Sequence, residues 1–299
     1  MFLRRLASTL GLWAVVAGGL ASRMAWAYLA IIGILTLLAT IEYFRMAREG
    51  GLKCFSRFGI LATGVYSLGL YYLLAGAGAP ETSEVAAVLP GWFDPLAIFV
   101  VVAGSFVLQL RYSPKGIESI NAVAATLLGF AYIAFLFGFA AKIVFGVSGP
   151  GEVSGAMLLL WLIAVTKFTD MGAYVVGSMI GKRKMIPHVS PGKTWEGILG
   201  GCGFALLAGC GLFALFKDDM PNFAAGLHHL GGIWHAAILS LVLAAVAVIG
   251  DLAESVIKRS LGSKDSGNML PGIGGALDLI DSLCFTAPVL YFYLQWVKP

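Results

Sequence analysis

Apolar runs of roughly 20 residues alternate along the chain with short polar or glycine-bearing connections, and runs of that length can cross a bilayer as helices. They predict spans near 28–43, 57–77, 93–111, 121–141, 156–179, 195–216, 233–253 and 283–297, after one at the N-terminus. That first stretch has two readings. Arg4 and Arg5, an apolar segment and Ala25-Trp26-Ala27 have the form of a cleavable signal peptide. Tyr28 to Tyr43 continues at once as another apolar run with Arg45 and Arg48 behind it, which favours an uncleaved span. The pattern predicts an all-α, polytopic helical membrane protein with about nine transmembrane helices. Short alternating segments of the kind a membrane barrel needs are not what the chain offers.

Composition agrees: 59% of residues are hydrophobic and 12% charged, where a soluble domain carries about 25% charge. Cys54, Cys202, Cys210 and Cys284 lack CxxC spacing, so neither a zinc site nor a disulfide framework is indicated. Nothing reads as a nucleic-acid module, and no nucleic-acid partner is expected. The placement of charge adds more. With nine alternating spans, one face receives fifteen Lys and Arg residues, including Arg4, Arg45, Lys53, Lys115, Lys182, Lys193 and Lys258. The other receives four: Arg23, Lys142, Lys217 and Lys298. This positive-inside bias predicts a cytoplasmic N-terminus and cytoplasmic loops around 181–194 and 255–282. A bacterial inner membrane suits the short connections.

The two halves differ in character. Residues 1–150 carry few charges within spans, and Glu42, Asp94 and Lys142 read as interfacial anchors of a lipid-facing scaffold. Residues 151–299 carry the candidate chemistry. The stretch Gly250–Ser282 places Asp251, Glu254, Ser255 and Lys258 on one helical face. Asp278 and Asp281 form a second carboxylate pair after a glycine-rich turn. Acidic pairs beside fixed cations are what a metal–polyphosphate site needs. Glu254 is open between touching metal and orienting Lys258.

Lys167, Asp170 and Tyr174 also share one face of a predicted span. They read either as a structural pair or as a polar cavity open to the cytoplasm, with Lys167 on a phosphate and Asp170 near a metal or ribose hydroxyl. Gly192-Lys193-Thr194 looks like the end of a P-loop, but Pro187 occupies the first glycine position and no strand is predicted before it. A basic turn remains, feeding a helix N-terminus, where Ser190, Lys193 and Thr194 would supply donors to an anion. His188 reads as interfacial. Lys182-Arg183-Lys184 serves the positive-inside rule or holds anionic lipid headgroups.

Taken together, Ser190-Pro191-Gly192-Lys193-Thr194-Trp195-Glu196-Gly197, Ser255 to Arg259, Lys264-Asp265-Ser266-Gly267, Leu270-Pro271-Gly272 and Leu277-Asp278 through Asp281-Ser282 resemble the CDP-diacylglycerol synthases, the phosphatidate cytidylyltransferases. The strong motifs cover roughly 166–282. The resemblance implies CTP and phosphatidic acid as substrates, CDP-diacylglycerol and pyrophosphate as products, Mg²⁺ (one or two ions, with Mn²⁺ as a substitute) and a homodimer. It implies metal ligation by Asp251, Asp278 and Asp281. It also implies phosphate contacts from Lys167, Lys193, Lys258, Arg259 and Lys264 beside Ser255 and Asp265, and nucleotide approach at Gly272, Gly274 and Gly275. The chain departs from the family pattern at Ile273, where histidine is usual, and at Leu279, where arginine is usual; Thr169 and Ser178 are further departures. Three other readings stay open: a CTP-dependent lipid or polyprenol kinase, a transporter built on Lys167, Asp170 and Asp251, and an inactive lipid-binding paralogue.

Overall fold

In the computed structural model, residues 25–75, 89–146, 154–216, 227–267, 269 and 274–297 are described. The first predicted span lies outside them. Helix α1 covers Ala25–Glu49, α2 Ser56–Ala75 and α3 Phe93–Gln109. Helix α4 (Ile117–Gly129) runs through a π-helical segment, Phe130–Phe135, into α5 (Leu136–Gly146). Then come α6 (Ser154–Ile180), strands β1 (Lys184–Ile186) and β2 (Ser190–Thr194), α7 (Trp195–Phe216), α8 (Ile233–Ser260) and α9 (Ala276–Val297). Among the described residues, six passages are long and apolar enough to cross a membrane: α1, α4–α5, α6, α7, α8 and α9. The shorter α3 is also apolar. The protein is therefore a multi-pass helical membrane protein.

Side chains that face outward on these helices are themselves apolar, among them Leu61, Leu68, Phe99, Leu199, Leu207 and Ile238. Such a continuous apolar exterior fits hydrocarbon and not water. With lipid outside, helices gain little from the hydrophobic effect and associate through close packing and hydrogen bonds. The most extensive helix pair, α6 with α7, shows how. A Cβ on Gly197 would lie 2.8 Å from the Ala173 carbonyl oxygen, and one on Gly201 2.9 Å from that of Thr169. Trp161, almost fully buried, donates from Nε1 to the Gly209 carbonyl at 2.9 Å across the same pair.

The N-terminal helices share this core. Helices α1 and α5 both pack on α9, and the Tyr43 hydroxyl of α1 donates to the Ala125 carbonyl at 2.9 Å. Asp94 and Lys142, expected as separate interfacial anchors, are instead bonded to each other between α3 and α5. Lys142 is buried, with its ammonium 4.1 Å from the centre of the Phe139 ring, and Asp94 accepts from the Tyr66 hydroxyl at 3.0 Å.

Two differences from expectation matter for the site. The predicted basic turn at 184–194 is an antiparallel hairpin, with Lys184 opposite Thr194 and Ile186 opposite Ser190. It closes because the Glu196 carboxylate accepts the Lys182 and Arg183 amides at 3.1–3.3 Å. Helices α8 and α9 also run about two turns further toward each other than the apolar pattern marks, and the carboxylates lie on helix, as their i, i+3 and i+4 spacing predicts. Polar residues at a span's end break hydropathy without breaking backbone hydrogen bonding.

Candidate active site at the α8–α9 crossing

Gly250 sets the geometry. Its missing side chain lets α8 cross α9 so closely that a Cβ there would lie 2.9 Å from Ser282 Cα and 3.0 Å from the Asp281 carbonyl oxygen. That contact brings the next residue, Asp251, beside Asp281. One helical turn on, Glu254 completes a trio: ligand-type oxygens of Asp251, Glu254 and Asp281 all lie within 4.8 Å of one another. Glu254 and Asp281 are buried, and Asp251 is half-buried.

Three lysines surround the trio. Lys193, projecting from β2, places Nζ 2.9 Å from Asp251 and 3.3 Å from the Val248 carbonyl. Lys258 bridges Glu254 at 2.8 Å and Asp278 at 2.9 Å. Lys167 lies 3.9 Å from Asp170 and is close enough to Asp281 for their charges to interact. The hairpin thus has a clear function in the fold: it carries a cation to the α8 carboxylates. Thr194 anchors it, its buried hydroxyl accepting the Gly197 amide at 3.1 Å at the start of α7.

Asp278 is not one of the trio, but its carboxylate lies within hydrogen-bonding reach of Glu254. Its Oδ1 takes Lys258 and its Oδ2 accepts the Gly275 amide at 3.1 Å, ordering the turn before α9. Gly274 in that turn has φ +117°, a conformation that disfavours any side chain. Ser255 is 3.5 Å from Asp251 through its hydroxyl. Ser190 is half-buried in β2, whereas Tyr174, Arg259, Lys264 and Asp265 are exposed, outside the cluster. Gly272 and Ile273 lie outside the described residues. Leu279, at the family's arginine position, packs against the hydrophobic core.

One residue at this site was not foreseen as part of it. Glu42 of α1 is fully buried, and its Oε2 accepts the Leu277 amide at the start of α9 at 2.9 Å. It also fills the space beside Gly267 and Gly275, where a Cβ would meet its oxygens at 2.7 and 2.8 Å. The signal was present: an ionisable residue within an apolar run is costly unless it has a specific partner. Its partner, 235 positions away, is a backbone amide that sequence pattern does not mark.

Charge and hydrogen bonding indicate what the cluster can hold. Five carboxylates (Asp170, Asp251, Glu254, Asp278, Asp281) meet three lysines, a formal excess of two negative charges. Among the described residues, no hydrogen-bond donor reaches the buried Glu254 Oε1. A set of hard oxygen donors with an unsatisfied buried oxygen and that excess fits a divalent cation such as Mg²⁺ or Mn²⁺.

The class defined by this arrangement is a multi-pass membrane protein with an acidic, lysine-ringed site suited to phosphate chemistry. The model of the cytidylyltransferase family matches residues 3–297, and the chain belongs to that family. YnbB of Escherichia coli strain K12, described as an uncharacterized protein, is 34% identical over 231 residues, covering 77% of this chain and 70% of that one. A phosphatidate cytidylyltransferase of Haemophilus influenzae is 44% identical over 140 residues, 46% of each chain. One from Synechocystis is 26% identical over 295 residues, covering 92% and 90%. The aligned region thus spans about half of the Haemophilus relative and nearly all of the Synechocystis one.

Proposed function

We propose that this protein is a phosphatidate cytidylyltransferase, moving CMP from CTP to phosphatidic acid and releasing pyrophosphate. The observation that carries this reading is the Asp251–Glu254–Asp281 trio, two of its members buried, with its three lysines, in a chain of the cytidylyltransferase family. Phosphatidate is already an anionic phosphate monoester, so its oxygen can attack the α-phosphorus of CTP without a dedicated base. Alignment of two polyanions and compensation of their charge are the protein's tasks.

Asp251, Glu254 and Asp281 would hold a divalent ion. When bound, that ion supplies charge stabilisation to the phosphate oxygens. Lys193 and Lys258, each paired with carboxylates, would turn to the phosphates, and Lys167, beside Asp170, would add a third cation. Asp278 then loses its lysine and becomes available as a further ligand. Ser190 and the exposed Arg259 and Lys264 would meet the nucleotide or headgroup as it docks. The acyl chains stay in the bilayer. The face is cytoplasmic in this reading, in keeping with the positive-inside charge distribution, so CTP reaches it directly.

Incubation of the purified protein with phosphatidate, Mg²⁺ and CTP labelled on the α-phosphorus tests the reading. Label entering lipid, and failing to do so with EDTA or with Asp281→Asn, is the expected result. Label recovered in CDP beside a newly phosphorylated lipid would replace it with a kinase.

A further inference from the structure

A charged cavity lies outside the trio and its lysines. It measures about 540 Å³, within the range of small-molecule sites. Its walls come from the α1–α2 connection and from the segment joining α3 to α4, both at helix ends where a headgroup region would lie. Arg48, Lys53 and Lys115 line it, and Glu118 is the one acid among its lining residues. The sign is therefore the reverse of that at the α8–α9 crossing.

The cations are held differently from those of the active site. Arg48 is steered by donation from Nε to the Phe44 carbonyl at 3.3 Å, which uses one of its five N–H groups. Lys53 reaches across the cavity to Glu118 at 2.6 Å. The Lys115 amide is fixed by the Ser119 hydroxyl at 2.9 Å. Tyr112 and Phe55, their rings 6.4 Å apart, make an aromatic wall of the kind found at membrane interfaces.

We propose that this cavity binds a phosphate-bearing headgroup, the chemistry of an anionic membrane lipid, at a site separate from the one where CMP transfer is placed. Two net positive charges, hydroxyl donors and an apolar-aromatic wall match a phosphate with a glycerol backbone at the interface. Next to the lining residue Gly51, Gly50 packs against Leu261, just past the end of α8, so closely that a Cβ would lie 2.7 Å from the Leu261 carbonyl.

Native mass spectrometry of the full chain in neutral detergent reads this directly, with phosphatidylglycerol, phosphatidylcholine and inorganic phosphate titrated in separate arms. Wild type is expected to take one phosphatidylglycerol saturably and to show no such saturable phosphatidylcholine adduct. Lys115→Glu and Arg48→Ala should each weaken that binding about five- to tenfold. Cys54, in the cavity wall, localises the ligand. Burial pushes its thiol above the usual range while Arg48 pulls the other way, so alkylation is followed at alkaline pH, where thiolate forms. Bound lipid should slow Cys54 labelling in wild type and not in Lys115→Glu. Saturable inorganic phosphate that protects Cys54 would assign the same site to a soluble phosphate. Equal lipid binding by all three proteins, or binding without protection of Cys54, would overturn the proposal.

Discussion

Asp94–Lys142 and the Asp251–Glu254–Asp281 trio both place charge inside a helical bundle, yet their accounts differ at every step. The first is balanced: one carboxylate, one ammonium, a tyrosine hydroxyl on the remaining oxygen and an aromatic ring against the cation. Its polar groups are satisfied by one another. The trio sets three carboxylates within 4.8 Å, keeps a buried oxygen that no donor among the described residues reaches and relies on lysines brought from three separate elements. Like charges so arranged repel unless something of opposite sign joins them. A buried pair that closes on itself reads as structure; a buried excess of one sign reads as a place for a ligand.

Neutralising Asp281 should have the largest effect. In the proposed reaction Asp281→Asn removes a charge that positions a divalent ion, and turnover should fall at least about 10³-fold, the rate equivalent of ~4 kcal/mol. Its folding in detergent should hold, since the change relieves repulsion. Lys142→Met should do the opposite. Leaving Asp94 without its partner is expected to cost about 3 kcal/mol of stability, followed by thermal unfolding in detergent, with turnover per folded molecule unchanged. Asp94→Asn added to Lys142→Met should recover part of that loss, because the stranded charge goes too.

Glu42→Ala falls between the two kinds. It removes a charged acceptor from the start of α9, so about 2 kcal/mol of stability should be lost. Turnover should fall as well, since the same turn holds Asp278. The smallest effect is expected at the exposed Lys53–Glu118 pair, where Glu118→Gln should change the unfolding midpoint by an amount corresponding to under about 1 kcal/mol.

Much of this was legible in the sequence because the relevant periodicities are local. Runs of apolar residues mark α2, α3, α6 and α7 closely and the start of α8. The i, i+3 and i+4 spacing put Asp251, Glu254 and Lys258 on one face before any tertiary contact was known. What escaped depends on distance along the chain. The partner of Glu42 is an amide near the other terminus, and Asp94 and Lys142 are 48 positions apart on different helices. The hairpin at 184–194 has too few residues for an alternating pattern to declare it, and a single carboxylate, Glu196, closes its base. The choice between Glu254 and Asp278 as the third member of the trio turns on how α8 and α9 cross at Gly250, which no spacing encodes.

Mn²⁺ binding followed by electron paramagnetic resonance tests the central claim most directly, using wild type, Asp281→Asn and Lys142→Met in detergent without substrates. Wild type and Lys142→Met should bind Mn²⁺ alike and release it to excess Mg²⁺, while Asp281→Asn should bind at least tenfold more weakly. Equal binding by wild type and Asp281→Asn would contradict the assignment of the trio as the metal site.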